Sequence, residues 1–400
     1  MYYNEIIQLL KNNQFCNFIG IAITPLHSNG IDAVLRYLRN KGETIQAEIF
    51  IFPHGITGNA ISEQNFVSSD MDIKFNYMNQ SWIKLERKTS RLFGRVEPFI
   101  HPQKPKKTIY IAWTKVDYTW MWILRRAYGN VNIVFMIIDD GAASYENPFF
   151  DAKTNLLYLY SESGLLKRSA ILAKEWLSYN YENLLTGALK RRGQIIISSI
   201  FLKRPGNSFE RNTEFSSCYI DVLKMHGRDI PAKIIALCEN AVLFNTQCLS
   251  ENSIMTNEQQ MSYYSHAARI IKKTGCKIVI KPHPREQALE GYLNAGFCVL
   301  DEKQYSQESI IANCAKKPIC VISIFSSTLL NAYGLFGISA ISLAKIVLND
   351  KNISSGLKSQ LIEYIQKYDG MLLFPNNYDE LEDMIFHENR IREGSNNEQQ

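Results

Sequence analysis

The chain has no G-x-G-x-x-G run and no P-loop, which counts against dinucleotide enzymes and P-loop NTPases. It has no C-x-x-C pair either. Most of its eight cysteines sit in apolar runs, so buried reduced thiols are expected, with no zinc site and no disulfide framework. No apolar stretch reaches the roughly 20 residues needed to cross a bilayer. The opening residues MYYNEI lack the basic start of a secretory signal, and the expectation is a cytoplasmic protein. Charge is sparse as well: charged residues make up 21% of the chain and the net charge is +5. That balance is mildly basic and is no nucleic-acid signature, so no nucleic-acid partner is expected.

What is present is an ordinary globular composition, 46% hydrophobic, over 400 residues. That length exceeds one ordinary core and points to two domains. Short apolar runs without alternation recur at residues 17–24, 45–52, 108–113 and 132–138, with helical patterns at 31–40 and 118–128. Residues 25–30 (PLHSNG) read as a turn-rich loop. The second half repeats the rhythm. Strands are expected at 241–246, 276–280, 296–300 and 318–324, and helices at 258–273, at 307–315 and from Leu329 onward. Strands buried on both faces and separated by helices predict an α/β protein with two Rossmann-like halves, whose ligand loops lie at strand C-termini. The boundaries read as a first domain over 1–190, a basic linker over 191–235, a second domain over 236–387 and a disordered polar tail over 388–400.

Residues 281–286 (KPHPRE) are the most informative segment. Pro282 and Pro284 fix the backbone on either side of His283, so the imidazole stands on a rigid strand end between Lys281 and Arg285. A histidine flanked by two cations suits an anionic ligand that needs a proton, such as a phosphate leaving group; a strand-ending turn with incidental charges is the plain alternative. Asp139-Asp140-Gly141 follows another strand. Paired carboxylates at a strand's C-terminal edge suit a general base, and Gly141 keeps space open for substrate. Metal binding and helix capping are the alternatives. Asp139 fits the cap better and Asp140 the base. Ser326-Ser327-Thr328 ends a strand and opens a helix, as a phosphate site or a simple N-cap would. His27 and His54 lie in first-half loops, where each could touch an acceptor or serve the fold.

Taken in order, these motifs resemble bacterial sialyltransferases, specifically the lipooligosaccharide sialyltransferases and capsule polysialyltransferases. That group carries an acidic pair with glycine, then His-Pro, then Ser-Ser or Ser-Thr. Here these look like Asp139-Asp140-Gly141, His283-Pro284 and Ser326-Ser327. Residues 24–27 (TPLH) resemble the TPLQ that ends the first strand in the lipooligosaccharide enzymes, and residues 243–252 (LFNTQCLSEN) resemble the loop opening their nucleotide domain. The resemblance implies a GT-B fold, with two Rossmann-like domains facing each other across a cleft. It implies an inverting, metal-independent sialyltransferase that uses CMP-sialic acid and needs no cofactor. By the same carry-over Asp140 is the general base and His283 the general acid or phosphate clamp. Ser326 and Ser327 hold the phosphate, and Lys281 lies near the nucleotide. Thr24, Asp139, Gly141, Gln247, Pro284 and Thr328 complete the expected binding set. Glu308 is a poor match for the acid that grips the ribose in some relatives, and that contact stays open.

The implied acceptor is a sugar hydroxyl of a bacterial surface glycan: lipooligosaccharide, O-antigen or capsule. Another GT-B transferase using a Kdo or UDP-sugar donor is the alternative within enzymes. A non-catalytic polysaccharide-assembly protein is the alternative outside them. Residues 164–204 carry eight Lys and Arg against Glu175 and Glu182, with leucines and Trp176 interleaved. Such a segment reads either as a peripheral contact with the anionic inner face of the inner membrane, where lipid-linked acceptors reside, or as a solvated connector.

Overall fold

A computed structural model of the chain describes residues 2–23, 25–52, 61–68, 71–78, 107–114, 117–138, 184, 187, 195–199, 212–247, 249, 254–283, 286, 289–294, 296–302 and 304–397. Thr24, His54, Asp139, Asp140, Gly141, Cys248 and Pro284 lie outside these residues, as does the basic segment 164–204 except for 184, 187 and 195–199. The chain divides into two compact units, with the change from the first to the second at Val222–Leu223.

The first unit runs α1 (Tyr2–Asn12), β1 (Phe18–Ala22), α2 (Pro25–Asn40), β2 (Gln46–Ile51), β3 (Asp72–Tyr77), β4 (Thr108–Trp113), α3 (Tyr118–Tyr128), β5 (Asn132–Ile137), β6 (Ile195–Ser199) and α4 (Thr213–His226), which spans the change of unit. Its six strands form one sheet in the order β3-β2-β1-β4-β5-β6, paired in parallel throughout. This is the doubly wound order, whose switch point lies between the first and fourth strands. All five residues of β1 are buried, as expected for a strand covered on both faces.

Two local expectations change here. Residues 25–30 belong to helix α2 and do not form a loop. Proline is well suited to a first helical position, and Gly30 serves packing: a Cβ there would stand 2.7 Å from Cβ of Ile138, so only glycine lets α2 approach the end of β5 so closely. His27 is accordingly buried in the first turns of α2, where its Nδ1 accepts the Ile23 N–H at 3.0 Å and its ring lies against Trp113. The segment 191–235 is likewise no simple linker. Residues 195–199 within it form β6, paired in parallel with β5.

The second unit continues with α5 (Ala232–Cys238), β7 (Ala241–Asn245), α6 (Asn257–Lys273), β8 (Lys277–Lys281), α7 (Glu290–Asn294), β9 (Cys298–Val299), α8 (Gln307–Asn313), β10 (Cys320–Ser323), α9 (Ser327–Phe336), β11 (Ser339–Ser342), α10 (Ala344–Leu348), α11 (Ser355–Tyr368) and α12 (Tyr378–Asn397). The parallel sheet has the order β11-β10-β7-β8-β9, so its switch point lies between β7 and β10. The two Rossmann-like α/β units expected from the sequence are therefore both present. The polar tail differs from expectation, since α12 stays helical through Asn397. Apolar residues Leu381 and Ile385, a turn apart, bury one face of that helix in the core, and packing overrides the polar composition that follows. Of the cysteines described, Cys16, Cys218, Cys238, Cys314 and Cys320 are buried free thiols, Cys276 is half-buried and Cys298 is exposed.

Candidate active site

Crevices in doubly wound sheets form outside the strand C-termini at the switch point. In the second unit that place is defined by the residues following β7 and β10. Strand β7 is buried along its whole length, and its last residue, Asn245, stands in register with Lys281, the last residue of β8. The ladder extends one step further, the Thr246 N–H donating to the Lys281 carbonyl at 3.2 Å. Gln247, next in the chain, has its N–H held by the Tyr264 hydroxyl at 2.9 Å. Its side-chain amide reaches across the switch point to the backbone of Phe325. There Nε2 donates to the Phe325 carbonyl, and the Phe325 N–H donates to Oε1 at 3.1 Å.

That two-point contact fixes the turn from which α9 starts. Ser326 is the N-cap of α9: its Oγ accepts the Thr328 N–H at 3.3 Å and lies 2.8 Å from the Thr328 hydroxyl. Asn245 Nδ2 donates to the same Thr328 hydroxyl at 2.8 Å, tying β7 to the helix start. The Asn245 side-chain oxygen is buried without a hydrogen-bond partner, an unusual state for a buried polar atom. Ser326, Ser327 and Thr328 are half-buried at the positive end of a ten-residue helix, where N–H groups and the helix dipole favour an anion. Capping and anion binding, the two readings of these residues, are thus compatible at one place.

His283 occupies the turn after β8. Its N–H donates to Thr246 Oγ1 at 3.3 Å, and its carbonyl accepts the Glu286 N–H at 2.8 Å. The ends of β7 and β8 are therefore stitched together directly beneath it. Lys281 is half-buried, with Nζ donating to the Glu302 carbonyl at 3.2 Å. Burial lowers its pKa from the ordinary lysine value, opposed chiefly by the nearby charge of Glu308.

Of the expected site residues, the structure brings Lys281, His283, Gln247, Ser326, Ser327 and Thr328 to one edge of one sheet. Thr24, Asp139, Asp140, Gly141 and Pro284 fall outside the described residues, so Asp140 has no described geometry. Gln247 bonds to the Phe325 backbone through both ends of its amide. Sequence reasoning did not single out Thr246, Glu286 or Asn245. Glu308 is only 8% exposed, accepts a bond from Asn331 Nδ2 at 2.8 Å and lies near Lys281. A buried carboxylate in a polar helix start has no periodic signature. Glu286 stood in the KPHPRE run, but its partners come from three separate elements that spacing does not bring together. Among the described residues no group of three or more His, Cys, Asp or Glu is placed to hold a metal ion. No described helix is long and apolar enough to cross a membrane.

Comparison with known proteins adds to this geometry. The chain shows low-identity similarity, over most of its length, to several solved structures. One is the GT-B domain of a sialyltransferase from Photobacterium damselae, at 13% identity, with 89% of this chain and 99% of that one covered and a TM-score of 0.38. A putative UDP-N-acetylglucosamine 2-epimerase from Listeria monocytogenes shares 12% identity, with coverages of 93% and 88% and a TM-score of 0.44. The UDP-GlcNAc 2-epimerase of Methanocaldococcus jannaschii shares 11%, with coverages of 92% and 92% and a TM-score of 0.43. No curated protein matches in sequence. The profile of the family described as alpha-2,8-polysialyltransferase (POLYST) matches residues 123–345, more than half of the chain and a span that includes the acidic pair, the His-Pro turn and the Ser-Ser helix start. On that match, the chain belongs to the alpha-2,8-polysialyltransferase family.

Proposed function

We propose that this protein transfers sialic acid from CMP-sialic acid to a sugar hydroxyl of a bacterial surface glycan, with inversion and without a metal ion. The observation that carries the reading is the convergence of Lys281, His283 and the Ser326–Thr328 helix start on the switch point of the second sheet, within the span matched by the family. Two half-buried hydroxyls at a helix N-terminus, a histidine on a rigid turn and a partly desolvated lysine form a receptor for a leaving phosphate.

In this reading an acceptor hydroxyl attacks the anomeric carbon in line while Asp140 removes its proton. The transition state is oxocarbenium-like, by analogy with glycoside hydrolysis. Negative charge develops on the departing phosphate, and His283 meets it with a proton or a hydrogen bond. Ser326 and Ser327 act as fixed donors, so stabilisation requires little reorganisation at the moment of reaction. Glu308, buried beside Lys281 with one oxygen held by Asn331, is the carboxylate we assign to the nucleotide's ribose. The acceptor is lipid-linked in this reading, and the basic segment 164–204 holds the enzyme at the anionic inner face of the inner membrane.

The test is incubation of the purified protein with CMP-sialic acid, with and without galactosides and sialosides as acceptors. CMP release that depends on acceptor is expected. Release from a UDP-sugar or CMP-Kdo, with none from CMP-sialic acid, transfers the assignment to another donor. No turnover with any of these donors points to a non-catalytic role in polysaccharide assembly.

A further inference from the structure

The His283 turn rests on a buried polar ring that the proposed chemistry does not itself use. Thr246, Gln260, Glu286 and Tyr292 are each no more than 3% exposed. Glu286 lies beneath the turn and gathers donors from three elements. Thr246, just past β7, donates its hydroxyl to Oε2. Gln260, on α6, donates Nε2 to Oε1 at 3.2 Å. Tyr292, on α7, donates its hydroxyl to Oε1 at 2.9 Å. Burial, and after it the Glu286 charge, raise the Tyr292 pKa far above the ordinary phenol value, so Tyr292 remains a donor. Glu286 closes the ring from the other side, because its own N–H donates to the His283 carbonyl at 2.8 Å.

The Thr246 hydroxyl donates to Glu286 Oε2, which commits its proton to the carboxylate. That leaves a Thr246 lone pair turned toward the His283 N–H, which donates to it at 3.3 Å. Both backbone groups of His283 are thereby held by one residue, the N–H by the Glu286 carboxylate through Thr246 and the carbonyl by the Glu286 backbone N–H. A buried carboxylate is costly to desolvate, and an apolar residue of similar volume would hold a mere turn at less cost. A carboxylate in this place makes sense where the orientation of what it supports matters.

We propose that Thr246 and Glu286 are positioning residues for His283, acting as a two-residue relay that sets the angle of its backbone and hence the direction in which the imidazole leaves the turn. The inference rests on His283 serving the transfer reaction as described above. It adds two residues that never touch substrate, and it explains why the turn needs more than its two prolines.

A double-mutant cycle tests it. Thr246→Val keeps the shape and removes the relay. The expected result is a 10–100-fold fall in kcat for CMP release, in line with the cost of small misplacements in an active site, with the donor KM changed less. Thr246→Ser, which restores the hydroxyl, should recover most of the loss relative to valine. In a His283→Ala background Thr246→Val should add less than about twofold, because residues acting as a unit are non-additive. Should Thr246→Val fail to fold by circular dichroism, Glu286→Gln replaces it in the same cycle. Its amide presents a donor where only an acceptor fits. A cost of equal size in both backgrounds, with His283→Ala itself impaired, overturns the positioning role alone. Wild-type turnover by His283→Ala removes the reading of His283, and this proposal with it.

Discussion

Gln247 offers the sharpest separation of a binding role from a structural one. Its amide makes two hydrogen bonds to the Phe325 backbone, and Phe325 directly precedes the Ser326 N-cap. In Gln247→Ala both bonds are lost. Each is a neutral bond worth about 0.5–1.5 kcal/mol net, giving about 1–3 kcal/mol in total. For a unit of roughly 150–250 residues, that corresponds to a fall of about 2–4 °C in Tm per kcal/mol. Thermal unfolding followed by circular dichroism, with and without CMP, reads this directly. The helix start that Gln247 steadies would loosen, so CMP affinity should fall in parallel with stability. Gln247→Glu should be worse than alanine, because it removes the Nε2 donor and sets a carboxylate against the Phe325 carbonyl. The refuting result is clear. A Gln247→Ala protein with an unchanged Tm and a CMP affinity reduced tenfold or more would show that the side chain touches the nucleotide and that the clamp is not its main role.

Further expectations concern the chemistry and the rest of the chain. Asp140→Asn should reduce transfer about 10²–10⁴-fold, the usual cost of losing a general base, while CMP binding by calorimetry stays near wild type; loss confined to Asp139→Asn would name the other carboxylate as base. Turnover should survive excess EDTA, and inactivation that Mg²⁺ or Mn²⁺ reverses would make the acidic pair a metal site. Burial raises the Asp32 pKa to about 6 from an ordinary 3.8, so the folded state holds its proton across that window. Stability of the first unit should therefore fall by about 2 kcal/mol as pH rises from 4 to 6, and a denaturation series in which Asp32→Asn keeps the same slope would contradict this. Sedimentation with anionic vesicles should show salt-sensitive binding that weakens when Lys190, Arg191 and Arg192 are all changed to alanine, each cation near the surface being worth roughly 1 kcal/mol; equal binding by the triple variant would return the segment to a solvated connector.

Much of the architecture was legible in the sequence, because buried parallel strands announce themselves as unbroken apolar runs. The strand Thr108–Trp113 and the helix Tyr118–Tyr128 lie where periodicity puts them, and β7, β8 and β10 differ from expectation only at their ends. The motifs Lys281–His283 and Ser326–Thr328 were legible for a related reason: proline, histidine and serine clusters at strand ends are local chemistry, visible without knowing the fold. Where tertiary contact outweighs local propensity, the sequence misled. Residues 25–30 look like a loop because Ser, Asn and Gly favour turns, yet α2 begins there, and Gly30 is explained only by Ile138. The polar end of α12 looks disordered, yet it continues a helix anchored in the core.

What only the tertiary structure decided is the order of the strands and everything that follows from it. Strand order is a long-range property with no local signature. The order β11-β10-β7-β8-β9 is what sets Gln247 beside Phe325 and places the switch point between them. Thr246, Gln260, Glu286 and Tyr292 are spread over 47 positions and acquire a common purpose only when β7, α6, the His283 turn and α7 converge on one buried carboxylate. Residue type and spacing were enough to recognise the family to which this chain belongs. The packing of distant segments decided which groups surround the His283 turn and the start of α9, because hydrogen bonds and burial depend on distance in space and not on distance along the chain.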